Sequence, residues 1–365
     1  MKRMVKFPSI EQFRGVVKQI QERACYIGKD EDGKAVFDYL KPKPTLTFTA
    51  SEKIHGTNAG VCYSIPDGMW AQSRENIITV EKDNAGFAFF VSQNEEALKL
   101  IINELADEYS INLNTHIISL YGEWAGGNIQ KKSAMSGLDK AFVIFEHFKV
   151  SPIEPSEDEK AVWFKTGVLA DSFSAYDALN WVKSTENKIY NVMDFPTYDF
   201  TIDFNAPERS VNEMIKLVEE VIEPASPLGK AFGKEENIGE GVVCTHLAED
   251  GALIMFKVKG EKHSNSKVKT LNVVDTEKLN KIDKCVEKIC HNWRFEQGLV
   301  EVFGSDYEKT IDRKRIGDFL KWVGQDTLKE ELDIIAEFGF EPKDVMGKVS
   351  QKAKEYFFAV ENSNL

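Results

Sequence analysis

Hydrophobic and polar positions follow two different periods in the first 260 residues or so of the chain. Alternation with period two predicts a strand over residues 45–51, and a second strand over 59–65 follows a short glycine-containing connection. Apolar residues at helical spacing predict helices over 9–23 and 95–109. Further strands are predicted over 117–122, 141–145, 241–245 and 252–258. This mixture indicates an α+β fold with much antiparallel sheet.

The pattern changes at the polar segment 260–266. Beyond it, apolar stripes of helical period predict helices alone, the first of them carrying Leu279, Ile282, Val286 and Ile289 on one face. We therefore expect residues 1–268 to form an α+β domain, with an elaboration at 151–236, and residues 269–365 to form a small all-helical C-terminal domain. Within the elaboration, helices are predicted over 175–183 and 207–222.

Composition narrows the class of protein. The 365 residues include 46 Lys and Arg against 59 Asp and Glu, which gives a formal net charge of −13 and argues against non-specific coating of nucleic acid. No apolar run reaches the length of a membrane span or signal peptide, so we expect no membrane association and a cytoplasmic location. The five cysteines include no C-x-x-C pair, and we expect them to be reduced thiols.

The most informative string is EKIHGTN, residues 52–58, between two predicted strands. A lysine in such a position can act as a nucleophile when it loses its proton, and Gly56 would let the backbone approach a phosphate closely. Taken alone, however, a single lysine at a strand end is usually a solvated residue, and this is the favoured explanation of Lys53 until the rest of the chain is considered.

Four further strings follow in order: YGEWAG at 121–126, FVIFE at 142–146, GEGVV at 239–243 and FKVKG at 256–260. Lys257 and Lys259 alternate with apolar residues, so both project from one face of a strand. Each string taken singly has an ordinary explanation. The lysines suit a solvated strand face, Glu123 and Glu240 suit strand-end and turn carboxylates, and Phe145 suits a core.

In this order the five strings resemble the motifs of the covalent nucleotidyltransferases, the superfamily of ATP-dependent ligases and mRNA capping enzymes. Within it, the chain most resembles the RNA ligase 2 family, the nick-sealing RNA ligases of bacteriophages, which are similar to kinetoplastid RNA-editing ligases. Two features carry this closer resemblance. One is His55, where DNA ligases and capping enzymes usually have aspartate, and the other is the segment 122–126 followed by Ile129-Gln130-Lys131. The resemblance covers residues 1–270.

The resemblance implies a nucleotidyltransferase domain built on antiparallel sheets with flanking helices, and the activity of an AMP-forming polyribonucleotide ligase. It implies that Lys53 attacks ATP and carries AMP covalently. Lys257 and Lys259 would bind the nucleotide and stabilise charge on its α-phosphate. Glu240 would lie near the phosphates as a ligand of Mg²⁺ or Mn²⁺, and Glu123 would bind the ribose hydroxyls.

The same resemblance assigns further nucleotide contacts. Phe145 would stack on adenine, and Glu52 would frame the adenine through its backbone. Arg74 would contact phosphate, although a surface ion pair explains it nearly as well. His55 and Asn58 would touch the phosphates or the nick.

The expected partner is RNA with 5′-phosphate and 3′-OH ends, in duplex or nicked form, which the enzyme would recognise by its A-form shape. The resemblance further implies a monomeric enzyme that acts in RNA repair. Its location would be the host cytoplasm if the chain is phage-encoded. Three basic groups are candidates for contact with the RNA, although a run of charges is usually just a solvated face, and Asp283 and Glu287 dilute the charge of the helical group. They are Lys257, Lys259, Lys262, Lys267 and Lys269 at the domain junction, Lys278, Lys281, Lys284 and Lys288 along one helix, and Arg313-Lys314-Arg315.

Two alternatives stay open. One is a DNA ligase or capping-type guanylyltransferase, disfavoured because the C-terminal part reads as helical and lacks the R-x-D-K string usual in those enzymes. The other is a non-catalytic module that binds nucleotides or RNA ends.

Overall fold

The chain forms two compact units. The computed structural model describes residues 2–29, 33, 35–130, 133–154, 160–166, 186–234, 237–260, 271 and 273–363. The first unit comprises Met1–Val16, Leu46–Ile202 and Ser210–Asn272, and the second comprises Val17–Thr45, Asp203–Arg209 and Val273–Leu365. The predicted helix over 175–183 and the predicted boundary between residues 268 and 269 lie outside the described residues.

The strands of the described residues are short and mostly antiparallel. In chain order they are β1 (Glu11–Gln12), β2 (Tyr26–Lys29), β3 (Ala35–Phe37), β4 (Thr45–Glu52), β5 (Thr57–Ser64), β6 (Gly68–Ser73), β7 (Ile77–Ile78), β8 (His116–Ala125), β9 (Ala141–Ile144), β10 (His147–Pro152), β11 (Val162–Lys165), β12 (Ile189–Asn191), β13 (Thr197–Asp203), β14 (Gly241–Leu247) and β15 (Leu253–Lys259).

The helices of the described residues lie mainly at the two ends of the chain and between β7 and β8. The α-helices are α1 (Phe13–Cys25), α2 (Phe87–Gln93), α3 (Glu95–Glu108), α4 (Val211–Leu217), α5 (Pro227–Ala231), α6 (Thr276–Ile289), α7 (Asn292–Phe303), α8 (Tyr307–Thr310), α9 (Ile316–Glu337) and α10 (Pro342–Ser363). Short 3₁₀ turns span Val192–Asp194, Pro207–Ser210 and Arg313–Arg315, and a π-helical turn spans Val218–Ile222.

Two sheets build the first unit. One has the strand order β1-β15-β14-β4-β13. The other runs β11-β10-β8-β5-β6-β7, with β9 also pairing β8 and β12 pairing β9. Its apolar face packs on α2 and α3 through buried residues such as Phe87, Leu98 and Phe142, which removes a large aromatic and aliphatic surface from water.

The second unit has its own core, formed by α6, α7, α9 and α10. Phe295, Leu299, Phe319 and Phe357 belong to this core. The predicted stripe on α6 is the face that packs inward, since Ile282, Val286 and Ile289 are buried. A separate two-stranded sheet, β2 with β3, also belongs to this unit.

The predicted fold class is confirmed: the chain is α+β, its sheets are largely antiparallel, and its C-terminal region is helical. Two predicted helices differ in detail. The first begins at Phe13 because Glu11 and Gln12 pair with β15. The helix predicted over 207–222 is divided into a 3₁₀ turn, α4 and a π-helical turn. Of the described helices, none combines the length and apolar character needed to cross a membrane.

Candidate active site

Three strand ends meet at one edge of the β1-β15-β14-β4-β13 sheet. Because β14 is antiparallel to both β4 and β15, its first residue lies beside the last residues of those strands. Gly241 pairs with Lys259, and the Lys53 N–H donates to the Gly241 carbonyl at 2.8 Å. Glu240 immediately precedes Gly241. This topology brings together three predicted site residues that are up to 206 residues apart in the chain, Lys53, Glu240 and Lys259.

Glu240 is the centre of this cluster. Its carboxylate accepts from Lys53 Nζ at 2.7 Å and lies 2.5 Å from Lys259 Nζ. His55 Nδ1 lies 3.4 Å from the same carboxylate. Glu240 is 5% exposed, whereas Lys53 and Lys259 retain 19% and 26% of their side-chain surface. The two ammonium groups therefore remain accessible to a ligand.

The charges of the cluster act on one another. Burial favours the neutral form of Glu240, but the neighbouring Lys53 and Lys259 hold its pKa below its usual value. Burial, together with the nearby ammonium groups of Lys259 and Lys53, lowers the pKa of Lys257. Lys257 Nζ donates to the Ile10 carbonyl at 3.1 Å. The site thus concentrates cationic groups around the Glu240 carboxylate, which suits an anionic ligand such as a triphosphate.

Glu123 lies on β8 of the other sheet. Its Oε1 accepts from the Gly56 N–H at 2.9 Å, so it holds the turn that follows Lys53. Burial raises the pKa of Glu123 to about 7, even though Lys53 favours its ionised form. Asn58 faces Glu123 in the register between β5 and β8.

Gly56 is required by packing. A Cβ atom at this position would lie 2.4 Å from the Trp124 carbonyl oxygen and 2.9 Å from the Ala125 side chain. Only glycine lets the turn approach β8 so closely. The approach to a phosphate that the sequence suggests for Gly56 is therefore not the only reason for a glycine here.

A cavity opens beside Lys53 and Glu123. Glu52 and Phe145 also line it, together with Phe7 and His147. Phe145 follows β9 and is anchored by its N–H, which donates to the Tyr121 carbonyl at 2.7 Å. The Phe7 ring packs on Phe145 with 5.2 Å between ring centroids. The cavity is mainly apolar and has an aromatic wall, as a nucleobase pocket requires.

The Glu52 side chain points away from solvent and is held by the N-terminal end of α5. Ser226 Oγ donates to Oε1, and the Leu228 N–H donates to Oε2 at 2.9 Å. Burial raises the pKa of Glu52 to about 7. This side chain anchors the end of β4, which leaves its backbone to form the cavity wall.

Arg74 lies apart from these direct contacts. Its side chain is 58% exposed, donates to Ser9 Oγ at 3.2 Å and lies 3.8 Å from Glu75. Its charge nevertheless acts on Glu123 and Lys257. Arg74 therefore lies at the border of the cluster. It forms a surface ion pair with Glu75, which is the alternative to phosphate contact given above.

The three predicted basic groups differ in accessibility. Lys262, Lys267 and Lys269, like Lys131 of the extended motif, lie outside the described residues. On α6, Lys278 is paired with Asp344 at 2.8 Å, while Lys281, Lys284 and Lys288 are exposed. In the third group Arg313 pairs with Glu361, Arg315 pairs with Asp318, and Lys314 is exposed.

Sequence reasoning missed several residues of the cavity. Phe7 reaches it because the N-terminal segment is fastened to the sheet: Tyr121 Oη and Gln72 Nε2 both donate to the Val5 carbonyl. His147 follows the Phe145-Glu146 string by one position, yet no motif marked it. The signal available for both was weak, since a single aromatic or histidine near an apolar segment is common in cores.

The donor set for a metal is one carboxylate. Among the described residues, no group of three or more His, Cys, Asp or Glu side chains could hold a metal ion. Mg²⁺ bound together with nucleotide phosphates needs only one or two protein carboxylates, because phosphate oxygens and waters complete its shell. Glu240 therefore fits a metal that arrives with a triphosphate.

The two sheets, the lysine–carboxylate cluster and the adjoining apolar cavity are typical of a nucleotidyltransferase domain. The family model for RNA ligase matches residues 46–259. This match covers more than half of the chain and includes Lys53, Glu240 and Lys259, so the chain belongs to the RNA ligase family.

Solved structures with a similar fold were also found. The RNA ligase of Naegleria gruberi with pyrophosphate is 17% identical, and the alignment covers 72% of this chain and 59% of that chain with a TM-score of 0.40. A mutant of that ligase with ATP and manganese is 15% identical over 71% of this chain and 57% of its own, with a TM-score of 0.39. This chain thus spans less than two thirds of the Naegleria enzyme. The comparison with curated proteins gave no match.

Proposed function

We propose that the chain is an ATP-dependent RNA ligase that joins 5′-phosphate and 3′-OH ends through a covalent lysyl-AMP intermediate. The observation that carries the proposal is the Lys53–Glu240–Lys259 cluster, whose Lys53 also lines a cavity walled by Phe145. Membership of the RNA ligase family supports it. The substrate would be a nick in duplex RNA, and the setting RNA repair.

In the first step, Lys53 Nζ gives up its ammonium proton to water and attacks the α-phosphorus of ATP with the lone pair that this leaves. The new N–P bond replaces the bond to the β-phosphate oxygen, and pyrophosphate leaves. Adenine lies against Phe145, and Glu123 accepts from the ribose hydroxyls. Lys257 and Lys259 stabilise the charge that develops on the phosphates.

Glu240 must change partners during this step. Its single negative charge is shared between Lys53 and Lys259. A triphosphate supplies those two ammonium groups with another counter-ion, which frees the carboxylate to hold Mg²⁺ or Mn²⁺. A bound divalent ion supplies charge neutralisation on the phosphates.

Two transfers complete the reaction. The 5′-phosphate of the RNA attacks the AMP phosphorus and releases Lys53, which yields an RNA adenylate. The 3′-OH then attacks the 5′-phosphate, a phosphodiester forms and AMP leaves. The candidate contacts for RNA are His55 at the cluster, Asn58 opposite Glu123, and the exposed Lys281, Lys284 and Lys288 of α6.

The test is labelling with α-³²P-ATP and Mg²⁺ or Mn²⁺, followed by denaturing electrophoresis. We expect an acid-labile label on the wild type and on Lys18→Ala, a control whose side chain is 75% exposed, but none on Lys53→Ala. A labelled Lys53→Ala protein would place the nucleophile elsewhere. A wild type that takes no label, even after pyrophosphate treatment to remove bound AMP, would favour the non-catalytic binding module.

The substrate is tested next with matched nicked duplexes. We expect sealing of an RNA nick with a 5′-phosphate and no sealing when that phosphate is absent. Preferential sealing of the DNA nick, or labelling by α-³²P-GTP in place of ATP, would instead identify a DNA ligase or a capping-type guanylyltransferase.

A further inference from the structure

The cavity beside Lys53 contains a polar pair that the proposed chemistry does not use. Glu146 and His147 both line it, although most of its other lining residues are apolar. Glu146 is 5% exposed and His147 is 2% exposed. Two polar side chains so deeply buried need partners, because an unsatisfied buried polar atom is costly.

Glu146 has its partners. Its Oε1 lies 3.1 Å from Lys165 Nζ, and its Oε2 accepts from Thr245 Oγ1. Glu146 is therefore fixed in place, on the side of the cavity formed by β10, β11 and β14.

His147 has a partner on one side of its ring only. Nδ1 lies 3.7 Å from Glu146 Oε2, whereas Nε2 is buried and makes no hydrogen bond to any residue that the structure describes. Burial lowers the pKa of His147 to about 4, so the ring is neutral at pH 7 and carries one proton. The Glu146 carboxylate attracts that proton to Nδ1. Nε2 is then a bare acceptor.

A bare acceptor distinguishes the two purines. Adenine presents a 6-amino donor where guanine presents a 6-oxo acceptor. An Nε2 lone pair would accept a hydrogen bond from the amino group and would repel the oxo group. A site built to bond a donor rejects ligands that lack it, because the buried acceptor is then left unpaired.

We infer that His147, oriented by Glu146, accepts a hydrogen bond from the 6-amino group of the nucleotide and so selects ATP over GTP. This inference rests on the proposed function, since it names what reads the base at the same site. In it His147 is a specificity-determining residue and Glu146 a positioning residue.

The probe that isolates this contact is purine riboside 5′-triphosphate, which is ATP without its 6-amino group. The measurement is the rate constant for covalent labelling of the intact protein, followed by mass spectrometry, with ATP, this analogue and GTP. For the wild type we expect ATP to react about tenfold faster than the analogue, the effect of one hydrogen bond to a buried acceptor. GTP should react more slowly still.

The variants are His147→Leu, which removes the acceptor, and His147→Gln, which can restore one. In His147→Leu the ratio between ATP and the analogue should fall towards one because ATP reacts more slowly, while His147→Gln should keep part of the preference. His116→Leu, on β8, serves as the control for loss of a histidine and should keep the full ratio. Thermal unfolding of each variant shows that it is folded.

The outcome separates the inference from the proposed function. If the wild type is labelled and His147→Leu keeps the wild-type ratio, the inference is wrong and the ligase proposal stands. If no triphosphate labels the wild type, the ligase proposal fails. Isothermal titration with ATP and the analogue then tests His147 by binding alone, and equal affinities in the wild type would overturn its role.

Discussion

Glu52 makes the stability of the first unit depend on pH in a direction opposite to that of most carboxylates. Burial raises its pKa from 4.5 to about 7. The folded protein therefore binds the proton more tightly than the unfolded chain does. Its contribution to the free energy of unfolding is largest below about pH 4.5, falls as the pH rises and is lost above about pH 7. The difference between the two pKa values corresponds to about 3 kcal/mol.

The substitution that isolates this effect is Glu52→Gln. Glutamine cannot ionise, and its amide oxygen can still accept from the Leu228 N–H. Between pH 5 and pH 8 we expect the wild type to lose roughly 2–3 kcal/mol relative to the variant. Contributions from Glu123 are common to both proteins and cancel in this comparison.

The assay is urea unfolding of both proteins at pH 5, 6, 7 and 8. Glu22→Gln, which changes a carboxylate that is 54% exposed, should show no such trend relative to the wild type. If the difference in unfolding free energy between the wild type and Glu52→Gln is the same at pH 5 and pH 8, the assigned pKa and the burial argument behind it are both refuted.

Two further substitutions test the close approach of the turn at Gly56 and the buried ion pair of Arg294. Gly56→Ala should abolish AMP labelling, because its Cβ would meet the Trp124 carbonyl oxygen at 2.4 Å and displace the turn after the nucleophile; circular dichroism should show that the fold persists. Arg294 is 1% exposed and bound to Glu331 at 2.6 Å. Arg294→Met should lower the free energy of unfolding in urea by about 3–5 kcal/mol, because the Glu331 carboxylate stays buried without its partner. Arg315→Met removes an exposed pair and should change stability far less; equal losses would contradict this account.

The sequence predicted best where a single period extends over a whole element. The strand predicted over 45–51 is observed as Thr45–Glu52, and the helix predicted over 95–109 as Glu95–Glu108. Elements with little periodicity were missed: β7 and β12 have two and three residues, and they exist because longer neighbours pair with them. A backbone pattern of that kind depends on tertiary contacts, which local spacing does not encode.

The residues of the candidate site also divide into those that the sequence predicts and those that only the structure reveals. Lys53, Glu240 and Lys259 were identified by motif order, and antiparallel pairing explains why they meet. His147 was not identifiable in this way, because its significance arises from two facts outside its own segment. Thr245 and Lys165, on other strands, fix the neighbouring carboxylate, and the buried Nε2 has no hydrogen-bond partner within the part of the chain that the structure describes. A residue whose role depends on an unsatisfied atom becomes visible only when every neighbour is placed, so base selection in this site had to be inferred from the structure.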